Sequence, residues 1–277
     1  MSILQAIILG IIQGIGEFLP ISSSGHLIIV PYIFGWNYQG LNFDIALHFG
    51  TLLAILIYFW RDWSKIISDG ISLEKIEMGN ENKKTNHISQ TTFLKPNLLW
   101  IILVASIPAA IAGYFLENLA EHALRNPLLV AVLLAVFGTI LWITDYTNRG
   151  QKKIGQINYL QGFIIGIGQA LAIFPGVSRS GSTATFGMLL NFDRETATKF
   201  SFIISVPITI GAFALSLKSF DPSMIDVSFL VAILTSTAFG VLSIKFLLKY
   251  IANHNYFWFF IYRLGLAGLI LLIYYFR

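Results

Sequence analysis

No cysteine occurs among the 277 residues of this chain, which excludes disulfides, thiol nucleophiles and thiolate metal sites. Charge is nearly as scarce: 12% of the residues are Asp, Glu, Lys or Arg, against about 25% in soluble domains. Also missing is a basic segment ahead of the first apolar run. The chain starts Met1-Ser-Ile-Leu-Gln5, unlike the charged start of a signal peptide. The run that follows contains Gln13 and Glu17, so it reads as part of the mature fold. The net charge of +4 is small, and no nucleic-acid partner is expected from it. What remains is apolar: 56% hydrophobic residues and a mean hydropathy of +0.72. That is the composition of an integral membrane protein, with the bilayer as its surroundings.

Apolar segments fall at 3–19, 24–36, 42–60, 96–116, 128–146, 157–174, 181–190, 197–217, 227–248 and 256–276. Those at 42–60, 96–116, 128–146, 197–217, 227–248 and 256–276 approach the roughly 20 residues needed to cross a bilayer core. The others form two pairs, 3–19 with 24–36 and 157–174 with 181–190. Each pair is split by a Pro-, Ser- and Gly-containing loop, and its second member is too short to span. Such pairs read as re-entrant hairpins, whose irregular backbone is tolerated where protein or a wet cavity surrounds it. The expected fold is therefore all-α, with about six transmembrane helices and two re-entrant helix pairs.

The chain also echoes itself. At an offset of 156 residues, Gly10-x-x-Gln13 matches Gly166-x-x-Gln169, Phe18 matches Phe174, and Ser22-x-Ser24-Gly25 matches Ser178-x-Ser180-Gly181. Leu41-Asn-Phe-Asp44 then matches Leu190-Asn-Phe-Asp193. One membrane domain, 1–277, is thus expected to comprise two halves. The first, 1–147, carries a re-entrant loop around 17–26; the second, 148–277, carries one around 174–183. A re-entrant pair plus three spans makes an odd number of crossings, so the second half is inverted relative to the first. Of the 18 Lys and Arg residues, all but Arg125, Lys218, Arg277, Arg179 and Arg263 fall on the side of the 61–95 loop. The positive-inside rule makes that side cytoplasmic and places both termini outside. Residues 70–95 read as a solvated loop, with His87 on its surface.

The two loops hold the polar residues that composition otherwise denies this chain. The first is Glu17-Phe-Leu-Pro-Ile-Ser-Ser-Ser-Gly-His26 and the second Phe174-Pro-Gly-Val-Ser-Arg-Ser-Gly-Ser-Thr183. A charged side chain at bilayer depth costs roughly 2.5–3.5 kcal/mol, so two such loops point to a site. Gln13 and Glu17 share one helix face, and Glu17 could hold a cation, accept a proton or orient His26. Among Ser22, Ser23 and Ser24, one serine is explained by N-capping. A Glu17–Ser23–His26 set offers nucleophile, base and orienting acid. Arg179 sits ahead of a half-helix beginning near Ser180. A rigid guanidinium fork beside free backbone N–H groups makes an anion trap, suited to a diphosphate. Arg179 could equally pair with Glu17. Elsewhere Arg263 reads as a snorkelling residue, and His48 as a hydrogen-bonded packing residue. Gln161 and Gln169 could line the cavity, and Glu117, Glu121 and His122 fall on an outer loop.

At these loops the chain resembles the undecaprenyl-diphosphate phosphatase family of the bacitracin-resistance type. Gln13-Gly-Ile-Gly-Glu17-Phe-Leu-Pro-Ile-Ser-Ser-Ser-Gly-His26 looks like its first motif, and Pro175-Gly-Val-Ser-Arg-Ser-Gly-Ser-Thr183 like its second; the likeness extends to Tyr262-Arg263. The resemblance implies hydrolysis of undecaprenyl diphosphate to undecaprenyl phosphate at the outer face of the bacterial cytoplasmic (inner) membrane. It implies Glu17, Ser23, His26 and Arg179 as the catalytic set, with Ser23 attacking and His26 as base, or a phosphohistidine at His26. Ser22, Ser24, Ser178, Ser180, Thr183 and Gln13 are the expected phosphate-binding positions. A divalent cation, Mg or Ca, is a candidate cofactor with Glu17 as its ligand, although position 13 is Gln where some members have Glu; no organic cofactor is implied. A second copy of the chain is a candidate partner.

Two other readings compete. Phosphatidate-type lipid phosphatases also use Ser-Gly-His and Ser-Arg motifs, but want Lys-x6-Arg-Pro, which is absent, and a histidine where Thr185 stands. A transporter or flippase would suit inverted repeats, but has no need of a Ser–His–Glu set.

Overall fold

Apolar runs interrupted by Pro and Gly fold as separate helices, and the order follows the sequence closely. The computed structural model describes residues 1–37, 40–71, 98–122, 124, 126–217 and 225–276. In chain order the helices are α1 (Ile3–Phe18), α2 (Ser23–Phe34), α3 (Leu41–Tyr58), α4 (Trp60–Ile71), α5 (Leu98–His122), α6 (Pro127–Thr147), α7 (Tyr159–Ala170), α8 (Arg179–Leu189), α9 (Arg194–Ser216), α10 (Val227–Ile251) and α11 (Phe257–Phe276). Among the described residues five stretches are long and apolar enough to cross a membrane: Leu98–Leu116, Pro127–Thr147, Arg194–Ser216, Val227–Ile251 and Phe257–Phe276. There are six if Phe43–Tyr58 and Trp60–Ile71, bent by 80° at Phe59, form one broken span. This is an all-helical, multi-pass membrane protein.

Three details depart from the sequence reading. Residues 61–71, assigned to the 61–95 loop, belong to α4, an amphipathic helix that buries Trp63 and Ile66 and exposes Arg61, Lys65 and Asp69. Helix α5 runs on to His122, so the backbone of Glu117, Glu121 and His122 is helical rather than looped. The echo at Leu41–Asp44 and Leu190–Asp193 is not structural. The first copy opens α3, whereas the second crosses a turn with Asn191 at φ 66° and ends on Asp193, the N-cap of α9. The solvated loop beyond Ile71, with His87, lies outside the described residues.

The packing is crossed. Helix α1, from the first half, lies against α10 of the second; α7, from the second half, lies against α5 of the first. Likewise α3 meets α9, and α6 meets α11. Glycines set the closeness of the first two crossings. A Cβ at Gly14 would stand 2.7 Å from the Ser236 carbonyl oxygen and 2.8 Å from Gly240 N. At Gly166 it would press on the Ala105 carbonyl. In both places the obstacle is backbone and has nowhere to go. Gly14→Ala and Gly166→Ala are each expected to destabilise the purified protein by about 1–3 kcal/mol. Gly211→Ala, where nothing lies within 4 Å, is the control, and melting curves in detergent check the difference.

Where α6, α9 and α11 come together, Asp145 is buried and doubly held. Its carboxylate accepts from Arg194 Nε and from Tyr256 N at 2.8 Å. The Tyr256 hydroxyl meets Thr198, and burial pushes this phenol well above its ordinary range. This brace fixes the end of the bundle, so that α9 and α11 present Ser201 and Arg263 to the loops at a defined height.

Candidate active site

Proline decides where the first half of each broken pair stops. A residue preceding proline is driven out of the α region. Leu19 (φ −68°, ψ 140°) therefore ends α1 before Pro20, and Phe174 (φ −79°, ψ 117°) is extended before Pro175. Each chain then re-enters a helix through a serine in an unusual conformation. Ser22 has φ 71° and Ser178 φ 69°, a region that non-glycine residues seldom adopt and that costs about 1–3 kcal/mol. Both are N-caps, accepting from the N–H of Gly25 and of Gly181, and both hydroxyls lie near the next-but-one serine, Ser24 or Ser180. The two loops thus share one local geometry at corresponding positions. Strain of this kind is retained where the surroundings fix it, commonly at functional sites.

The loops touch. Gly176 N donates to Ser22 Oγ at 3.1 Å, and Ser180 Oγ donates to the Leu19 carbonyl at 3.3 Å. Arg179 Nη2 donates to Glu17 Oε1 at 2.6 Å, joining the loops by an ion pair. The second Glu17 oxygen, Oε2, accepts from Ser23 Oγ at 2.7 Å and from Gln13 Nε2 at 3.0 Å, and His48 Nδ1 stands 3.4 Å away. Glu17 is 6% exposed. A carboxylate so buried is stabilised in its charged form by these donors and by the guanidinium paired with it. Since Glu17 accepts from Ser23, the serine proton already points at a base.

His26 lies differently from the expectation. Instead of turning back to Glu17, its Nδ1 faces the Ser22 carbonyl at 2.7 Å and its Nε2 faces the Tyr262 hydroxyl at 2.6 Å, with the two rings stacked. A carbonyl can only accept, so Nδ1 carries the proton and Nε2 takes the hydrogen bond from Tyr262. Ser23 and Glu17 form one unit; His26 and Tyr262 form a second beside it.

The remaining expected phosphate-binding positions cluster here too, most of them engaged. Ser22 and Ser178 cap their helices, while Thr183 Oγ1 donates to the Arg179 carbonyl at 2.7 Å and contacts Ser201. Gln13 is fully buried between Glu17 and His48. Ser24 is partly exposed, as is Arg179, whose side chain is 15% accessible.

Several sequence readings are corrected. Arg263 does not snorkel. It is 0% exposed and donates to five backbone carbonyls behind the loops. His48 is more than a packing residue, since it bonds to Gln13 and stands within ion-pair range of Glu17. Only its place four residues after Asp44 in an otherwise apolar helix hinted at this. Gln161 closes the capping box at the start of α7. Gln169, the counterpart of Gln13, is buried with neither amide atom hydrogen-bonded.

The donor set does not suit a resident divalent cation. Among the described residues no three His, Asp or Glu side chains stand together as a metal cage. Glu17 and His48 stand within ion-pair range of each other, and both Glu17 oxygens already accept from protein donors.

Comparison with known proteins gives the same direction. A family model described as bacitracin resistance protein BacA matches residues 6–269. The chain is 44% identical over 277 residues to a protein of Moorella thermoacetica named undecaprenyl-diphosphatase, covering all of both chains. Proteins of the same name from Caldicellulosiruptor bescii and Pelotomaculum thermopropionicum are 45% and 41% identical; this chain is covered over 100% and 98%, and theirs over 99% and 97%. With this coverage, and with Glu17, Ser23, His26 and Arg179 gathered at one junction, the chain belongs to the bacitracin resistance protein BacA family.

Proposed function

We propose that this protein is a membrane-embedded phosphatase that hydrolyses undecaprenyl diphosphate to undecaprenyl phosphate and inorganic phosphate, returning a cell-wall lipid carrier to use and conferring bacitracin resistance. One observation carries the reading: Ser23 Oγ lies 2.7 Å from a Glu17 carboxylate that is itself paired with Arg179. An ordinary anion-binding site has no use for a serine hydroxyl aimed at a buried base. The names of the relatives agree with the reading.

The chemistry follows from the groups present. The diphosphate binds where the N-termini of α2 and α8 converge, with the Arg179 fork and the leading N–H groups on its oxygens. Ser23 Oγ attacks the terminal phosphorus while its proton passes to Glu17. The bond from phosphorus to the bridging oxygen breaks, and undecaprenyl phosphate leaves. Water then hydrolyses the phosphoserine, with His26 Nε2 as the available base once Tyr262 gives way, and returns Ser23 and inorganic phosphate. Glu17 thus replaces His26 as the base for Ser23. A divalent cation, Mg or Ca, would in this reading come with the diphosphate and neutralise part of its charge, with Glu17 and His48 as the protein groups closest to hand.

The same reading makes α1–α2 and α7–α8 re-entrant pairs and the halves 1–147 and 148–277 inverted repeats. The matched serine conformations and the crossed packing support it. The distribution of basic residues supports both termini outside, in the bacterial inner membrane, with the site open to the outer face. Glu17, Ser23, His26 and Arg179 meet within one copy of the chain, and a homodimer remains part of this reading.

The test is phosphate release by the purified protein from undecaprenyl diphosphate in detergent, matched mole for mole by undecaprenyl phosphate. Release no greater than that of a heat-inactivated control would overturn the reading. Lipid phosphate crossing liposomes without hydrolysis would instead favour transport.

A further inference from the structure

Arg263 is the largest fully buried side chain in the molecule's described part, and the reaction outlined above does not use it. Its donors all go to backbone carbonyls. Nε reaches Leu134 O at 3.0 Å and Nη1 reaches Pro20 O at 3.4 Å; Nη2 reaches Gly176 O at 2.7 Å, Val177 O at 3.1 Å and Leu133 O at 3.4 Å. Pro20 belongs to the first loop, Gly176 and Val177 to the second, and Leu133 and Leu134 to α6. One guanidinium therefore ties both loops to a single spanning helix. Room for it is made by glycines: a Cβ at Gly138 would come within 3.2 Å of Arg263 Nε, and one at Gly181 within 3.4 Å of Nη1. Among the described residues no carboxylate is within ion-pair range of Arg263.

A buried cation held only by neutral carbonyls is expensive unless an anion comes to it. The carbonyls also have geometric consequences. A trans peptide sets each N–H opposite its carbonyl, so drawing Val177 O towards Arg263 fixes the direction of the Ser178 N–H at the mouth of α8. We propose that Arg263 is a positioning residue for the phosphatase reaction, setting the spacing of the two half-helix N-termini, and that its unneutralised charge is balanced by the bound diphosphate. This rests on the phosphatase reading for its kinetic half only; the charge half concerns anion binding and stands without turnover.

Two variants separate spacing from charge. Arg263→Lys keeps the charge but cannot span five carbonyls, so kcat is expected to fall at least about tenfold while KM stays within about threefold. Arg263→Gln loses both, so it is expected in addition to lose the rise in melting temperature that inorganic pyrophosphate gives the wild type, a rise Arg263→Lys retains. A merely structural role would lower stability in both variants without this split. Wild-type kcat in Arg263→Lys overturns the spacing claim, and a wild-type pyrophosphate shift in Arg263→Gln overturns the charge claim. If Arg263→Gln does not purify folded, Arg263→Met takes its place. If the wild type releases no phosphate, the function proposed above fails. The pyrophosphate shift then decides the charge claim, and the spacing claim, being kinetic, falls with that function.

Discussion

Replacing Arg179 with alanine is expected to lower kcat/KM for undecaprenyl diphosphate by about 10³-fold or more, the range set by arginines that stabilise a transferring phosphoryl group. Two effects add. The variant loses the fork that meets the phosphate oxygens, and it leaves Glu17, 6% exposed, without its cation. Breaking a buried pair from one side typically costs about 3–5 kcal/mol, so the melting temperature should fall as well. Arg179→Ala combined with Glu17→Gln removes that second penalty. The double variant should regain stability but not activity, because the phosphate still lacks its fork. Near wild-type turnover by folded Arg179→Ala protein would sink the anion-trap argument. Arg179→Lys should fall between, since an ammonium cannot both reach Glu17 Oε1 and contact the Ser201 carbonyl as the two guanidinium nitrogens do.

An equally large loss is expected at Ser23. Ser23→Ala should reduce phosphate release by about 10³-fold or more, and Glu17→Gln by a similar factor. The pair together should be little worse than either alone, because residues acting as one unit are not additive. Quenching the wild type in acid with substrate labelled at the terminal phosphate should trap label on Ser23. His26→Ala should slow loss of that label more than its formation. Label that resists base but is lost in acid would instead identify a phosphohistidine, and with it His26 as the nucleophile. Full activity in Ser23→Ala would have the same meaning. Both experiments need only the intact protein in detergent.

The broken helices were legible because their causes are local. Pro20 and Pro175 drive Leu19 and Phe174 out of the helical region, and Ser-Gly runs restart a helix after each. The Glu17–Arg179 pairing could be reasoned from the cost of burying either charge alone, and the structure contains it. Other residues escaped because their roles depend on neighbours distant in the chain. Arg263 lies close to the start of the last apolar segment, where an arginine commonly reaches for the membrane surface. Nothing nearby reveals that five carbonyls await it across α6 and the two loops. His48 sits amid apolar residues and gains its role from Gln13 and Glu17 on another helix. The rotation of His26 towards Tyr262 crosses 236 positions of sequence. Helix α4 was missed for a different reason: its Arg, Asp, Ser and Lys look like a loop until Trp63 and Ile66 are seen at a helical spacing.

The crossed packing of α1 on α10 and of α7 on α5 bears on how the molecule is made. Glu17 leaves the ribosome long before Ile251, and the surface that receives its helix is not complete until that residue has been added. Early in that interval α1 has only α2 and α3 to pack on, with His48 of α3 beside Glu17. Contacts of such long sequence separation form slowly, and half-made chains are the ones most exposed to misassembly. Chains truncated before α10 should therefore be handed to quality-control proteases, however apolar their spans.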